Sequence, residues 1–231
     1  LLEAVPESAI RERAGARPYA VFGIAGVPPM SATDGRLGRF GWKGKFSSLE
    51  SQVHGALVNE LGISHPADVS PDSARFGDLQ TKLTNYMRLL AIPARRLTSA
   101  DSSRGAEIFA EIGCAMCHTP SWRTGDGGDV PENLRNQVIH PFTDFLLHDM
   151  GDGLRDANGN ELSRLWKTPP LWGIGVQTSV SAKAGFLHDG RARNLLEAVL
   201  WHGGEAAETI HKFESLPCPE RQELLAFLSS L

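Results

Sequence analysis

The sequence predicts a mainly α-helical chain whose helices are separated by long irregular connections. Three observations lead there. Apolar residues recur at helical spacing in separate segments, the strongest single-sequence sign of an amphipathic helix. Glycine and proline, 24 and 14 of 231 residues, gather in the stretches between those segments. One helical segment runs directly into Cys114-Ala-Met-Cys117-His118. Leu49, Val53, Ala56, Leu57 and Leu61 mark the first helix, with Ser47 and Glu50 in a capping-box pattern before it. A second runs over about 78–91, with Leu79, Leu83, Tyr86, Met87 and Leu90 on one face. A third, about 103–112, ends at Gly113, a C-terminal glycine. A fourth, about 195–202, is capped by Asn194 and Glu197 and stopped by Gly203 and Gly204. The last begins near Pro219, a good first-turn residue, and carries Leu224, Phe227, Leu228 and Leu231 on its buried stripe. Residues 15–46 and 120–193 hold little helical pattern, and such long irregular runs are unusual in a small domain. They make sense if something large other than side chains fills the core. Residues 92–102, with Pro93, two arginines and a Ser/Asp cluster, read as a linker between a unit at 1–95 and another at 96–231.

Composition narrows the class of function. The chain is 41% hydrophobic and 22% charged, ordinary values for a folded soluble chain. A net charge of -4 and a pI near 6.1 lack the basic surplus of a general nucleic-acid binder. No apolar run approaches the ~20 residues of a membrane span. A start at Leu1 without a signal-peptide pattern is what a processed chain or a fragment would show. Three cysteines, Cys114, Cys117 and Cys218, are too few for a disulfide scaffold of this length. Cys218, between two prolines, reads as a helix-start residue with an unpaired thiol.

Cys114-Ala-Met-Cys117-His118 has the C-x-x-C-H form of covalent haem attachment. The chemistry needs two thiols about one helical turn apart to join two haem vinyl groups, and the adjacent histidine then reaches the iron. Half a zinc site is the first competing reading, but no second Cys pair stands at zinc-ribbon spacing. A thioredoxin-like redox pair is another, but no alternating strand–helix pattern surrounds it. Covalent attachment of this kind implies maturation outside the cytoplasm, so a periplasmic location is expected. The sixth iron position stays open among His54, His65, His140, His148, His188, His202, His211 and the methionines. His202, at the end of an apolar helix before a glycine pair, and Met150 are the two main candidates.

At this point the sequence resembles the bacterial di-haem cytochrome c peroxidases. Within that superfamily it is most similar to the di-haem oxidoreductases grouped as peroxidases or thiol oxidoreductases. The resemblance lies in residues 39–62, 105–120, 140–153, 168–175 and 186–206. Its most specific stretches are Lys167-Thr-Pro-Pro-Leu-Trp-Gly173, Phe186-Leu-His-Asp-Gly-Arg191 and Glu197-Ala-Val-Leu-Trp-His-Gly-Gly-Glu205. It implies a cytochrome c-like helical haem domain at 96–231, and at 1–95 the distal part of an N-terminal haem domain. In the peroxidases a short helix after His-Asp-Gly bears the distal ligand of the C-terminal haem, and the matching position here is His202. The resemblance therefore implies ligation by His118 and His202, with Met150 as the alternative to His202. A neutral imidazole in place of a thioether should lower the reduction potential.

Phe40-Gly-Trp-Lys-Gly-Lys-Phe46 resembles the peroxidase segment whose tryptophan lies between the two haems, and Trp42 matches that tryptophan. The peroxidases' distal glutamine falls on Gln52 and their glutamate on Glu60, although the intervening stretch is two residues shorter here. Eight residues apart on one helix, Gln52 and Glu60 differ by only ~80° around the axis. A carboxylate there would take a proton from bound peroxide and return it to the leaving oxygen. Without the resemblance, Gln52 and Glu60 read as solvated residues opposite the apolar stripe, and Trp42 as a packing aromatic. The family's first attachment motif is absent from this sequence. Leu1-Leu-Glu-Ala-Val-Pro-Glu7 resembles the segment soon after the first haem domain's core, as in a fragment or in a protein that has lost that haem. The resemblance also implies calcium (Ca2+) between the haems, with backbone ligands from the loop before His188.

The expected function is that of a periplasmic haem c oxidoreductase of the di-haem peroxidase type. One covalent haem c would serve electron transfer in this chain, and a second haem is expected in a full-length protein. Expected partners are an electron-donor protein or small redox carrier, and peroxide or another small redox substrate. Neither nucleic acid nor a membrane span enters this reading. The alternative is a non-enzymatic electron-transfer c-type cytochrome.

Overall fold

The computed structural model describes residues 1–15, 23–63, 71–96, 102–128, 130–181 and 183–231. Among these the helices are α1 (Glu7–Ala14), α2 (Leu49–Asn59), α3 (Pro71–Leu89) and α4 (Ser102–Glu111), followed by α5 (Gln177–Val180), α6 (Leu195–Leu200), α7 (Ala207–Ser215) and α8 (Cys218–Ser230). Two small antiparallel ribbons complete the fold, β1 (Trp122–Arg123) with β2 (Val138–Ile139) and β3 (Leu147–Asp149) with β4 (Leu165–Lys167). The fold is mainly α, as the helical spacing predicts. No helix among the described residues is long and apolar enough to cross a membrane.

The main core lies where α4 crosses α8. Ile108, Phe109 and Ile112 meet Leu224, Phe227, Leu228 and Leu231, with Phe213 of α7 and Leu171 closing the sides. Phe109 and Phe227 pack edge to face with centroids 5.4 Å apart. Gly105 makes the crossing possible. A Cβ there would collide with the Glu223 carbonyl and come within 2.6 Å of the Phe227 Cβ. Arg104, one residue earlier, bridges the helices through Glu220 at 3.3 Å.

A second core joins the start of the chain to its middle. Val5, Ile10 and Leu37 pack with Ile139, Phe145 and Leu146. Backbone bonds reinforce the contact: Gly125 N–H donates to Ala4, and Val27 and Leu147 exchange a pair at 2.9 and 2.8 Å. Buried Arg39 donates to the Leu2 carbonyl at 2.9 Å. Described residues before α2, among them Ala4, Val5, Ile10, Val27 and Leu37, therefore lie against the segment that carries Gly125, Ile139 and Phe145–Leu147.

α2 and α3 pack as a pair around Val53, Leu57 and Phe76. Ser48, rather than Ser47, caps α2, and the reciprocal box is closed by Ser51 instead of Glu50. The serine hydroxyl does at this position what a glutamate does in the usual pattern. Glu3 adds a cap from a distance: its Oε1 accepts from Leu49 N at 2.7 Å, and its Oε2 from Arg88 Nε at 3.0 Å. α3 starts earlier than its apolar spacing predicts. Its stripe also turns outward, with Leu79, Tyr86, Met87 and Leu90 exposed while Phe76 and Thr84 are buried.

The described end of the linker, residues 92–96, lies against α8: Arg96 N donates to the Ser230 carbonyl at 2.8 Å, and Arg95 Nε to the Ser230 hydroxyl at 3.1 Å. The third predicted helix is α4, and Gly113 adopts the left-handed conformation expected of a terminal glycine, with φ 104°. α6 begins as predicted, with the Asn194 side chain accepting from Glu197 N, but ends at Leu200, short of His202. α1 and α7 carry no strong sequence signal.

Candidate functional site

Gly113 turns the chain out of α4 into a single 3-10 turn, Cys114–Met116. Both thiols are carried one turn apart beside the main core, and His118 follows. Burial, and secondarily the neighbouring Cys117, push the Cys114 thiol up to about 12. Burial also raises Cys117, with His148 partly offsetting it. From outside, Arg13 of α1 donates to the Met116 carbonyl at 3.3 Å, so α1 leans on this loop.

The His118 ring is oriented by a backbone carbonyl, with its Nδ1 3.0 Å from Phe142 O. A carbonyl only accepts, so Nδ1 carries the proton and Nε2 keeps the lone pair. Phe142 has φ 54°, a left-handed conformation costly for a bulky residue. Its ring is held there against Phe109 and Phe227, at 6.0 and 5.8 Å. Burial, and then the proximity of His202, lower His118 to about 4, so the ring is neutral at pH 7.

His202 is held in the same manner. Its Nδ1 donates to the Ala198 carbonyl at 2.7 Å, one turn back in α6, again leaving Nε2 as the lone-pair nitrogen. Burial lowers its pKa too, with the Ala198 carbonyl opposing. The two half-buried rings face each other with centroids 6.5 Å apart and planes at 55°. A metal–nitrogen bond of about 2.0 Å on each side, plus about 1.1 Å from nitrogen to ring centre, gives about 6.2 Å for two imidazoles on one metal ion. The donor set thus suits an iron porphyrin: two thiols one turn apart and two neutral imidazoles with free Nε2 atoms. Met150 lies at the end of β3, its backbone N donating to Arg164 O at 2.9 Å.

The other histidines are placed elsewhere. His54 Nδ1 lies 3.0 Å from Gln80 Oε1, between α2 and α3. His140 and His211 are exposed. His188 stacks on Trp166 at 3.6 Å. His65 lies outside the described residues. In the loop after His188, the Asp189 carboxylate is engaged by the Arg191 guanidinium, with Nε to Oδ2 at 2.6 Å.

His148 occupies a position that its sequence does not announce. It is almost fully buried, with Nε2 2.9 Å from Asp144 Oδ2 and Nδ1 2.8 Å from Glu205 Oε2. Cys117, Asp144 and His148 bring their ligand atoms within 4.8 Å of one another. Burial alone would lower His148, but Asp144, Cys117 and Glu205 outweigh it and raise the ring to about 12. Lys167, also buried, falls to about 8 through burial, with Asp144 opposing. Gly26 lets the incoming segment pass over this cluster, since a Cβ there would come within 2.8 Å of the His148 ring.

The remaining predicted site residues lie on the first half of the chain. Trp42 is 53% exposed, and its carbonyl accepts from Lys167 N at 3.0 Å, which ties it to β4. Lys43, beside it, pairs with Asp156 at 2.9 Å and lies 3.8 Å over the Trp166 ring. Gln52 is on α2 with its Oε1 buried and without a hydrogen-bond partner among the described residues. Glu60 is the C-cap of α2 and is exposed. Phe142, Ala198, Asp144 and Glu205 were invisible as site residues in the sequence. The first two act through backbone carbonyls, which no side-chain pattern encodes, and the other two meet His148 only through long-range packing.

A helical fold with C-x-x-C-H at a helix end and a second histidine beside it carries the donors that a haem-binding redox protein would use. Residues 70–231 match the family described as di-haem oxidoreductase, putative peroxidase, and the chain belongs to it. Its class is thus that of haem oxidoreductases of the peroxidase type. No curated protein and no solved structure gives a match.

Proposed function

We propose that this chain is a periplasmic haem c oxidoreductase of the di-haem peroxidase type, in which the haem held here is an electron-transfer centre. Cys114 and Cys117 would hold it by thioethers, and His118 and His202 would ligate its iron. When bound, the haem supplies reversible one-electron oxidation and reduction of its iron. The observation that carries this reading is the pair of imidazoles facing at 6.5 Å, each with Nδ1 committed to a carbonyl. Carbonyl acceptors of this kind fix ligand orientation and raise ligand basicity. With both histidines as ligands, the iron held here would be closed to peroxide, so substrate chemistry would belong to a second haem, expected in the full-length protein. There Gln52 would hold a substrate oxygen and Glu60 would move its proton, with Trp42 between the two centres. An electron-donor protein or small redox carrier would deliver the reducing equivalents. The periplasmic assignment rests on covalent attachment through C-x-x-C-H, which is made outside the cytoplasm.

Ferric spin state tests the ligation. His202→Ala should convert a low-spin ferric spectrum to high spin, and Met150→Ala should leave it low-spin. The reverse outcome would move the sixth ligand to Met150. Haem stoichiometry separates enzyme from electron carrier, the second reading, which the single C-x-x-C-H favours. A second, high-spin haem with peroxide turnover supports the enzyme; one low-spin haem without turnover supports the carrier.

A further inference from the structure

His202 stands at the head of a loop that is fastened to the protein in an unusual way. Gly203 and Gly204 press its backbone against the end of β3. A Cβ on Gly204, which has φ 56°, would strike the Asp149 carbonyl and come within 2.6 Å of Gly151 N. The next residue, Glu205, then turns its carboxylate inward and collects three donors. Its Oε2 accepts from Ala25 N at 2.9 Å and from His148 Nδ1 at 2.8 Å, and its Oε1 from Asp149 N at 3.1 Å. The Glu205 side chain is only 13% exposed, and that of His148 only 2%. His148 is held in turn by Asp144 and lies against Cys117. A continuous set of contacts therefore runs from the His202 loop, through Glu205 and His148, to the cysteine next to His118.

Neither Glu205 nor His148 offers a free ligand atom: His148 has a carboxylate on each ring nitrogen, and both Glu205 oxygens accept hydrogen bonds. Their placement acts on the loop instead. The peptide after His202 has two glycines and little stiffness of its own, so its position depends on the carboxylate that pins it. We propose that Glu205 and His148 form a latch that keeps His202 in place opposite His118, making Glu205 a positioning residue for the sixth ligand. This rests on the ligation proposed above. Without the latch, His202 should leave its place more often, and small external ligands should enter at the position it vacates.

The haem-loaded chain provides the test. The readouts are the ferric low-spin signal of the bis-imidazole haem in electron paramagnetic resonance and the rate at which cyanide replaces it. Glu205→Gln keeps the size of the side chain and removes its charge. It should add a high-spin component and speed cyanide entry by about tenfold or more, as expected for weakening hydrogen bonds to a charged group. His148→Asn should act in the same direction. The double variant should exceed the larger single effect by less than the product of the two, because both act on one contact chain. If Glu205→Gln fails to load haem, Glu205→Asp gives the same readout, since its carboxylate is one methylene too short to reach all three donors. A wild-type spin state and a cyanide rate within twofold of wild type would overturn the latch. His202→Ala separates the two ideas: a low-spin signal that survives this change overturns the ligation, whereas a high-spin His202→Ala protein beside an unchanged Glu205→Gln protein overturns the latch alone.

Discussion

Cys114, Cys117 and His118 are local in the sequence, and their chemistry is legible from spacing alone. His202 is less so: its place at a helix end before a glycine pair makes it one candidate beside Met150, and the resemblance is what favours it over Met150. The Asp144–His148–Glu205 cluster was unreadable for a physical reason: its members meet through β3 and the glycine pair, over separations of up to 57 residues. Gln52 and Glu60 show the limit of a helical-wheel argument. They share a side of α2, yet Gln52 Oε1 is buried while Glu60 sits in solvent beyond the last turn. If Glu60 is the acid–base group of the second haem site, Glu60→Gln should lower peroxide turnover by ~10²–10⁴-fold in a di-haem preparation. Turnover unchanged by that substitution would remove Glu60 from the reaction.

Helix positions were largely legible, since the spacing of Ile108, Phe109, Leu224 and Phe227 reflects the surfaces they bury. Partners were not. The α3 stripe has helical period but, apart from Leu83, faces outward, because α2 covers only the side bearing Phe76 and Leu83. The α4–α8 crossing gives the firmest prediction for an element. Gly105→Ala places a methyl against the Glu223 backbone, which cannot rotate away. It should cost about 2–3 kcal/mol in denaturant unfolding, the usual scale for overpacking a tight core. Glu3 predicts a pH effect at the α2–α3 pair. Burial alone would raise its carboxyl, but Arg88 and the Leu49 N–H outweigh this and hold it below its ordinary 4.5. A depressed carboxylate contributes stability that is complete above its unfolded value and fades as pH falls through the folded one. Glu3→Gln should therefore destabilise by about 1 kcal/mol at pH 7. The gap to wild type should close below pH 4.5, as followed by thermal unfolding across pH.

At the scale of the molecule, the described parts of the long connections at 120–193 hold little helix beyond the single turn of α5, and are tied down by two short ribbons and side-chain bonds to carbonyls. Trp122 Nε1 donates to Thr143 O and Trp166 Nε1 to Leu154 O, both at 2.7 Å. The sequence could show that these stretches lack period, but not that indole and arginine donors would organise them. Replacing both Cys114 and Cys117 by alanine tests how far a bound haem organises the whole. The variant should lose haem staining on a denaturing gel. Its unfolding midpoint should fall by at least about 10 °C, which corresponds to a few kcal/mol for a chain of this size. A midpoint equal to wild type would mean that the helices alone carry the fold.

The crossing of α4 with α8 also sets a timetable. Arg104 and its partner Glu220 are separated by 116 residues. A chain emerging from synthesis or export therefore presents the C-x-x-C-H turn well before the helix that closes the core over α4. Attachment outside the cytoplasm, as proposed, would come after export, so the two thiols would stay open to the loading machinery only until α8 docks on α4. Slower docking of α8 would lengthen that opportunity, whereas a loading step slower than docking would have to act on a core already shut.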